Sequence, residues 1–225
     1  MKLVIFDCDG TLVDSQHVIV AAMAHAFEAC GRPAPDDAAT RSIIGLSMME
    51  AMTSLAPDID TAGAEALIHA FRDGWMEFNS EPEIMYDGAE EAVRALAARN
   101  DVLLAIATGK SQRGVRRLLD EKDLNHCFVS IQTADDAPSK PHPGMIEQAL
   151  SDTGADARHA VMIGDTVFDI EMAVNAGVHS IGVGWGYHPE HHLSQAGARH
   201  IVSHFNELDQ VLEAVWRGTG AQQAS

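Results

Sequence analysis

The sequence has little positive charge, few cysteines and no apolar run long enough to span a membrane as a helix. Lysine and arginine together number 15, against 33 aspartates and glutamates, and the formal net charge is −18. Nucleic acid and anionic membrane surfaces repel a chain this acidic, so we expect neither as a partner. An anionic substrate would need positive charge concentrated at its own site.

The three cysteines, Cys8, Cys30 and Cys127, are far apart and form no C-x-x-C pair. That spacing favours reduced thiols over a disulfide framework or a zinc site. The chain enters an apolar strand pattern at once, without the pattern of a signal peptide. We therefore expect a cytoplasmic protein.

Residues 3–12, with the sequence LVIFDCDGTL, are the most informative stretch. A short apolar run that ends in a turn signal indicates a central strand of a parallel sheet. Ligands bind beyond the carboxyl ends of such strands, which is where Asp7 and Asp9 fall. Side chains two residues apart in an extended chain share one side, so these carboxylates can converge on one site.

Two carboxylates this close repel each other unless a cation lies between them. Mg²⁺ suits the position because it commonly takes one or two carboxylates, together with water and phosphate oxygens. For an isolated D-x-D-G, the competing interpretation is a pair of turn aspartates at a strand end. The motifs further along the chain favour the metal site.

The chain beyond this stretch shows two patterns. Residues 15–81 carry only helical periodicity, whereas residues 82–217 alternate apolar strands with amphipathic helices, as is typical of an α/β parallel sheet. We predict an α/β catalytic core from residues 1–14 and 82–217, an inserted all-helical cap from residues 15–81, and a flexible tail from residues 218–225. The predicted strands after the first are residues 102–107, 128–132, 160–163, 179–183 and 200–202.

Polar residues follow three of these strands. Thr108 and Gly109 end the second strand, Lys140 lies in the loop after the third, and Asp165 and Asp169 follow the fourth. Each alone is ordinary: a helix cap, a solvated loop lysine, or an acid in the first turn of a helix. Together at one sheet edge they supply metal-binding carboxylates, hydroxyl and amide donors, and one cation. That is the set of groups that binds a phosphoryl group.

These motifs resemble, in their order and placement, those of the haloacid dehalogenase-like hydrolase superfamily. They read DCDGT at residues 7–11, TG at 108–109, KP at 140–141 and GDTVFD at 164–169. The resemblance runs through Trp216 and is greatest to phosphoglycolate phosphatase-like members with a small helical cap. It implies a Rossmann-like parallel sheet and a Mg²⁺-dependent phosphatase acting on a small phosphorylated metabolite, with phosphoglycolate as the first candidate.

The resemblance also implies roles for the residues at the sheet edge. Asp7 would attack phosphorus and form an aspartyl-phosphate. Asp9 would protonate the leaving alkoxide and then act as base on the hydrolytic water. Thr108 and the Gly109 amide would bind phosphate oxygens, and Lys140 would pair with both Asp7 and the phosphate.

The implied Mg²⁺ site consists of the side chains of Asp7 and Asp165 and the backbone carbonyl of Asp9. Asp169 would support these groups without binding the metal itself. A carboxylate can attack an anionic phosphate ester only if their mutual repulsion is cancelled. One Mg²⁺ and one lysine would cancel it.

In similar enzymes a loop of the cap reaches the active site and selects the substrate. Arg41 and Gly45 fall near that segment, and Arg41 could bind a substrate carboxylate through two hydrogen bonds. An exposed helix arginine is the competing interpretation.

Two other patterns are expected to mislead. Residues 108–111 read TGKS, like the end of a nucleotide-binding P-loop, but that motif requires glycine at position 104, which is leucine. His188, His191 and His192 cluster in one stretch, where a solvated loop is favoured over a metal site.

Other functions remain open from the sequence. A sugar-phosphate mutase would use the same scaffold but needs cap residues that hold a second phosphate, and the cap shows no obvious pair of basic residues. A non-catalytic protein that binds phosphorylated metabolites would not need every chemical group present here. A haloacid dehalogenase is disfavoured because Asp9 supplies an acid–base group that its chemistry does not use.

Overall fold

The computed structural model describes residues 1–80 and 82–221, the last three by their backbone alone. The strands are β1 (Lys2–Phe6), β2 (Val102–Thr108), β3 (Ser130–Thr133), β4 (Ala160–Gly164), β5 (His179–Val183) and β6 (His200–Val202). Within the described residues they form one parallel sheet in the order β3-β2-β1-β4-β5-β6. The direction of strand addition reverses between β1 and β4, and in open α/β sheets ligands bind at such a switch point.

Helices pack on both faces of this sheet. The core helices are α5 (Ala89–Ala97), α6 (Gln112–Glu121), α7 (Gly144–Thr153), α8 (Val167–Ala176), α9 (Glu190–Ala196) and α10 (Leu208–Ala221). Successive strand residues point to opposite faces, so Val4 and Phe6 pack with residues of α5, α6 and α10. Leu3 and Ile5 pack on the other face with residues of α7 and α8. Burial on both faces explains why the strands read as continuous apolar runs.

The regular elements that the structure describes between β1 and α5 are helices. They are α1 (Gln16–Ala29), α2 (Asp37–Ser42), α3 (Met48–Leu55) and α4 (Thr61–Phe78). Helices α1, α3 and α4 share their own apolar cluster, which includes Met23, Met52 and Leu67. The predicted α/β fold with a helical cap is confirmed, while the residue boundaries of the two domains stay a prediction.

Two predicted segments differ from the structure. His191 and His192, expected in a solvated loop, lie on α9, which buries only Leu193 and so offers no apolar periodicity to detect. The last helix continues to Ala221, so residues 218–221 of the predicted flexible tail are helical. Residue 81 of the predicted cap and residues 222–225 of the predicted tail lie outside the described residues.

Truncating a buried methionine of the cap tests this packing. Met52 on α3 has no exposed surface, whereas Met76 on α4 is 66% exposed. Met52→Ala should lower the free energy of unfolding by about 2–5 kcal/mol because it leaves a cavity in the cluster. The matched change Met76→Ala should alter it by less than about 0.5 kcal/mol. Urea unfolding followed by circular dichroism measures both, and equal losses would contradict the packing.

Candidate active site

Asp7 follows β1 directly and lies at the switch point between β1 and β4. Its backbone N–H donates to the carbonyl oxygen of Ile163 at 3.0 Å, which extends the ladder between the two strands by one residue. The register pairs Phe6 with Ile106 and Ile163, so Thr108, the last residue of β2, and Asp165, the first after β4, come one residue beyond the level of Asp7. The sheet thus brings together the polar residues that end its central strands.

Lys140 lies between two buried carboxylates. Its Nζ is 2.9 Å from Asp7 Oδ1 and 2.6 Å from Asp169 Oδ1. Burial alone would lower the pKa of Lys140, but the charges of Asp169 and Asp7 raise it above its usual range, so the ammonium is retained. The other oxygen of Asp169 accepts hydrogen bonds from the N–H and hydroxyl of Thr166, at 3.1 and 2.7 Å. The capping box of α8 therefore fixes the carboxylate that orients Lys140.

Asp165 is held from two sides. Its Oδ1 accepts a hydrogen bond from the Thr11 hydroxyl at 3.0 Å, and its Oδ2 accepts one from the backbone N–H of Tyr187 at 2.9 Å. Gly10 has a φ of +86°, and a Cβ at that position would collide with the Asp165 carboxylate. The glycine of the first motif is thus required by the close approach of Asp165. Burial, followed by the charges of Asp169 and Asp7, raises the pKa of Asp165 well above 3.8.

The carboxylates of Asp7, Asp165 and Asp169 suit a divalent cation. Each offers an oxygen within 4.8 Å of the others, and all three residues are buried. Burial, and then the charge of Asp169, raises the pKa of Asp7 to about 7 although Lys140 opposes this rise. Neither Asp7 oxygen receives an aligned hydrogen bond from the described residues. When all three carboxylates are ionised, they exceed the charge of the Lys140 ammonium by two negative charges. Mg²⁺, which prefers oxygen ligands, would balance these two charges.

Asp9 belongs to a second buried network. Its Oδ1 accepts hydrogen bonds from the Ser15 hydroxyl at 2.6 Å and from Lys110 Nζ at 2.9 Å. Lys110 also donates to Glu83 Oε2 at 2.8 Å. Sequence reasoning missed these partners of Asp9. The sequence signal for Lys110 is its position directly after the T-G motif at a strand end.

A cavity of about 800 Å³ lies between the cap and the core. Of the predicted site residues, Asp7, Asp9, Gly45, Thr108 and Gly109 lie on its wall. The cap contributes mainly apolar side chains, among them Ile19, Met23, Ile43, Ile44, Leu46, Met48, Met49, Phe71 and Trp75. The basic side chains on the wall are His69, Arg72, Lys110, Arg113 and Arg117. The site can therefore accommodate a body larger than a phosphoryl group.

The loop between α2 and α3 is seated directly on the core. The backbone N–H of Ser47 donates to Ser139 Oγ at 2.8 Å. A Cβ at Gly109 would lie 2.6 Å from the carbonyl oxygen of Leu46, so this approach requires glycine. Arg41 is not among the described residues that line the cavity, and its guanidinium lies 3.7 Å from Asp37 on the same helix.

Comparison with known proteins decides the family. A sequence model described as haloacid dehalogenase-like hydrolase matches residues 4–183. The chain belongs to this family. The predicted resemblance is confirmed.

Named relatives of this hydrolase cover nearly its whole length. A protein of Dickeya dadantii named as the probable phosphatase IndB is 36% identical over 210 residues, which are 92% of this chain and 91% of that protein. A phosphoglycolate phosphatase of Mesorhizobium japonicum is 28% identical over 224 residues, covering 97% and 98% of the two chains. A solved hydrolase structure from Pseudomonas syringae has a TM-score of 0.85 and 26% identity, covering 95% of this chain and 99% of its own.

No helix in the described part of this hydrolase combines the length and apolar character needed to cross a membrane. The predicted cytoplasmic location stays a prediction.

The buried carboxylates predict how the metal-free hydrolase responds to pH. The folded state keeps a proton on Asp7 up to about pH 7, whereas the unfolded chain releases it near 3.8. Between these values the folded state binds more protons, so its stability should fall as pH rises. Thermal unfolding in EDTA should show a loss of at least about 1 kcal/mol between about pH 5.5 and pH 7.5.

Asp7→Asn provides the matched control for this measurement. The variant lacks the titrating group, so its stability should depend less on pH over the same interval. A pH dependence as steep in Asp7→Asn as in the wild type would contradict the assignment to Asp7.

Proposed function

We propose that this hydrolase is a Mg²⁺-dependent phosphatase that hydrolyses a small-metabolite phosphomonoester through an aspartyl-phosphate on Asp7. The observation that carries the proposal is the Asp7 carboxylate itself. It is buried on the wall of the cavity, 2.9 Å from Lys140 Nζ, and receives no aligned hydrogen bond from the described residues. The phosphatase class is further supported by the two named relatives that cover almost the whole chain.

The proposed first step is phosphoryl transfer to the enzyme. A carboxylate oxygen of Asp7 attacks phosphorus while the bond from phosphorus to the leaving oxygen breaks, and that oxygen takes the electron pair. Asp9 donates its carboxyl proton to the departing oxygen. Water then attacks the phosphorus of the aspartyl-phosphate and gives a proton to the Asp9 carboxylate. The bond from phosphorus to the Asp7 oxygen breaks, and Asp7 takes the electron pair. Inorganic phosphate leaves and both aspartates return to their starting state.

The neighbouring groups would bind and orient the phosphoryl group. Thr108 and the Gly109 amide lie on the wall beside Asp7 and would donate hydrogen bonds to phosphate oxygens. Lys140 pairs with Asp7 and would reduce the repulsion between that carboxylate and the substrate. The Oδ1 atom of Asp169, 2.6 Å from Lys140 Nζ, would keep the ammonium in place.

Asp7 and Asp165 would bind Mg²⁺ through their side chains, with the Asp9 backbone carbonyl as a further ligand. Bound Mg²⁺ would offset the negative charge shared by the carboxylates and the phosphate. Both oxygens of Asp169 already accept hydrogen bonds from Lys140 and Thr166, which supports a role for it outside the metal's own ligands.

The cavity supports a substrate with a second anionic group. Arg72 and Arg113 line it together with Asp7, and guanidinium groups bind carboxylate and phosphate well. Phosphoglycolate carries such a carboxylate and remains the first candidate, although a cavity of about 800 Å³ also admits larger esters. We leave Arg41 out of the proposed substrate site because it pairs with Asp37 away from the cavity wall. A sugar-phosphate mutase is the second candidate, since the same arginines could hold a second phosphate.

Removal of the nucleophile tests the mechanism. Phosphate release from a panel of small phosphomonoesters should require Mg²⁺, stop in EDTA, and fall by about 10³-fold or more in Asp7→Asn. Asp37→Asn, an exposed carboxylate on α2, should retain wild-type rates. Phosphate release by Asp7→Asn at the wild-type rate would contradict the mechanism. Transfer of phosphate within a sugar phosphate, without net release, would favour the mutase.

Direct binding tests the metal site. Calorimetric titration should show Asp165→Asn binding Mg²⁺ at least about 10–100-fold more weakly than the wild type, because a ligand carboxylate is lost. Asp73 lines the same cavity but is exposed, so Asp73→Asn should leave the affinity within about twofold. An equal effect of both changes would indicate diffuse attraction of cations rather than a defined site.

A further inference from the structure

We propose that Lys110, held in place by Glu83, is a positioning residue that fixes Asp9 for protonation of the leaving group. The inference rests on the proposed function, in which Asp9 is the general acid. It concerns the orientation of the Asp9 carboxylate rather than the metal or the nucleophile.

Lys110 makes two short ionic contacts that are largely buried from solvent. Its Nζ lies 2.9 Å from Asp9 Oδ1 and 2.8 Å from Glu83 Oε2. The side chains of Lys110, Asp9 and Glu83 are 6%, 13% and 3% exposed. Charge-assisted hydrogen bonds in such surroundings are strong and restrict rotation of the groups they join.

The two carboxylate oxygens of Asp9 differ in the hydrogen bonds that they accept. Oδ1 accepts hydrogen bonds from both the Ser15 hydroxyl and Lys110 Nζ, whereas no described residue donates one to Oδ2. Two donors converging on one oxygen fix the plane of the carboxylate. The remaining oxygen is left to carry the proton to a substrate in the cavity that Asp9 lines.

Glu83 ties this lysine to the junction of core and cap. It lies in the segment that returns from α4 to the core, and its Oε1 is 3.5 Å from Arg117. The Lys110 ammonium also lies 4.8 Å from the centroid of the Trp75 ring on α4. Glu83 therefore faces two cations, Lys110 and Arg117, and holds the Lys110 ammonium beside Asp9.

The competing role for Lys110 is a general positive charge that attracts anionic substrate. The two roles differ in their dependence on the leaving group. An alkoxide needs a proton as it departs, whereas p-nitrophenolate leaves readily without one. Loss of Asp9 orientation should therefore slow alkyl esters more than p-nitrophenyl phosphate. Loss of a general attraction for anions should lower kcat/KM for both substrates by the same factor.

The test compares kcat/KM for p-nitrophenyl phosphate with kcat/KM for an alkyl phosphate. The alkyl phosphate is the best wild-type substrate among those that carry no second anionic group. The parameter kcat/KM reports the steps up to and including departure of the leaving group. It does not depend on the later hydrolysis of the aspartyl-phosphate. In Lys110→Met, kcat/KM for the alkyl ester should fall at least about tenfold more than for the p-nitrophenyl ester. Lys110→Arg, which keeps a cation with hydrogen-bond donors, should recover part of that difference.

Two further variants separate positioning from folding and from attraction. Glu83→Gln keeps the side-chain size but removes the charge that holds Lys110. Like Lys110→Met, it should lower kcat/KM more for the alkyl ester than for the p-nitrophenyl ester. Glu83→Gln replaces Lys110→Met as the test if the circular dichroism spectrum shows that Lys110→Met does not fold like the wild type. Arg113→Met removes another cation of the cavity wall without a contact to Asp9 and should lower both values by the same factor.

The outcomes are distinct. Equal losses for the two esters in the folded Lys110 and Glu83 variants would overturn the positioning role while leaving the phosphatase intact. If Arg113→Met showed a difference between the two esters as large as that in Lys110→Met, the positioning role would also be overturned. Absence of metal-dependent phosphate release from every ester in the wild type would overturn the proposed function, and the inference with it.

Discussion

Repulsion among the carboxylates of Asp7, Asp165 and Asp169 is the constraint on which this site depends. Their oxygens lie within 4.8 Å of one another in the interior, and one ammonium, that of Lys140, stands between two of them. Burial raises the pKa of Asp7 to about 7 and that of Asp165 well above 3.8, so without a further cation the folded chain retains protons there. The site is therefore built to be completed by positive charge.

The fold assembles these like charges by fixing each from a different element. Asp7 continues the ladder of β1, Asp165 is held by Thr11 and the backbone of Tyr187, and Asp169 is locked into the capping box of α8. Because the backbone of each is set by sheet packing, no carboxylate can move away without breaking buried structure. Packing energy from the sheet thus maintains an electrostatic arrangement that would not form between free side chains.

The sequence predicted the groups that follow strand ends and missed the partners that no motif marks. The apolar run before Asp7 and the strand-end motifs predicted the parallel sheet and the meeting of Asp7, Thr108 and Asp165, because the carboxyl ends of parallel strands share one edge. Glu83 has no motif, and only the path of the chain back from the cap brings it to Lys110. The orientation of Arg41 could not be predicted either, since an i,i+4 partner, Asp37, competes with any substrate for it.

Asp7, the proposed nucleophile, and Asp9, the proposed acid, each contact a different ammonium group. Lys140 is fully enclosed in the core, so the surroundings of Asp7 depend on the sheet and on α8. Lys110 contacts Asp9, Glu83 and the ring of Trp75, so the surroundings of Asp9 depend on the return from the cap. A change in the position of α4 would therefore be transmitted to Asp9 while leaving the contact between Asp7 and Lys140 intact. In this arrangement the cap that lines the cavity also bears on Asp9, the proposed general acid.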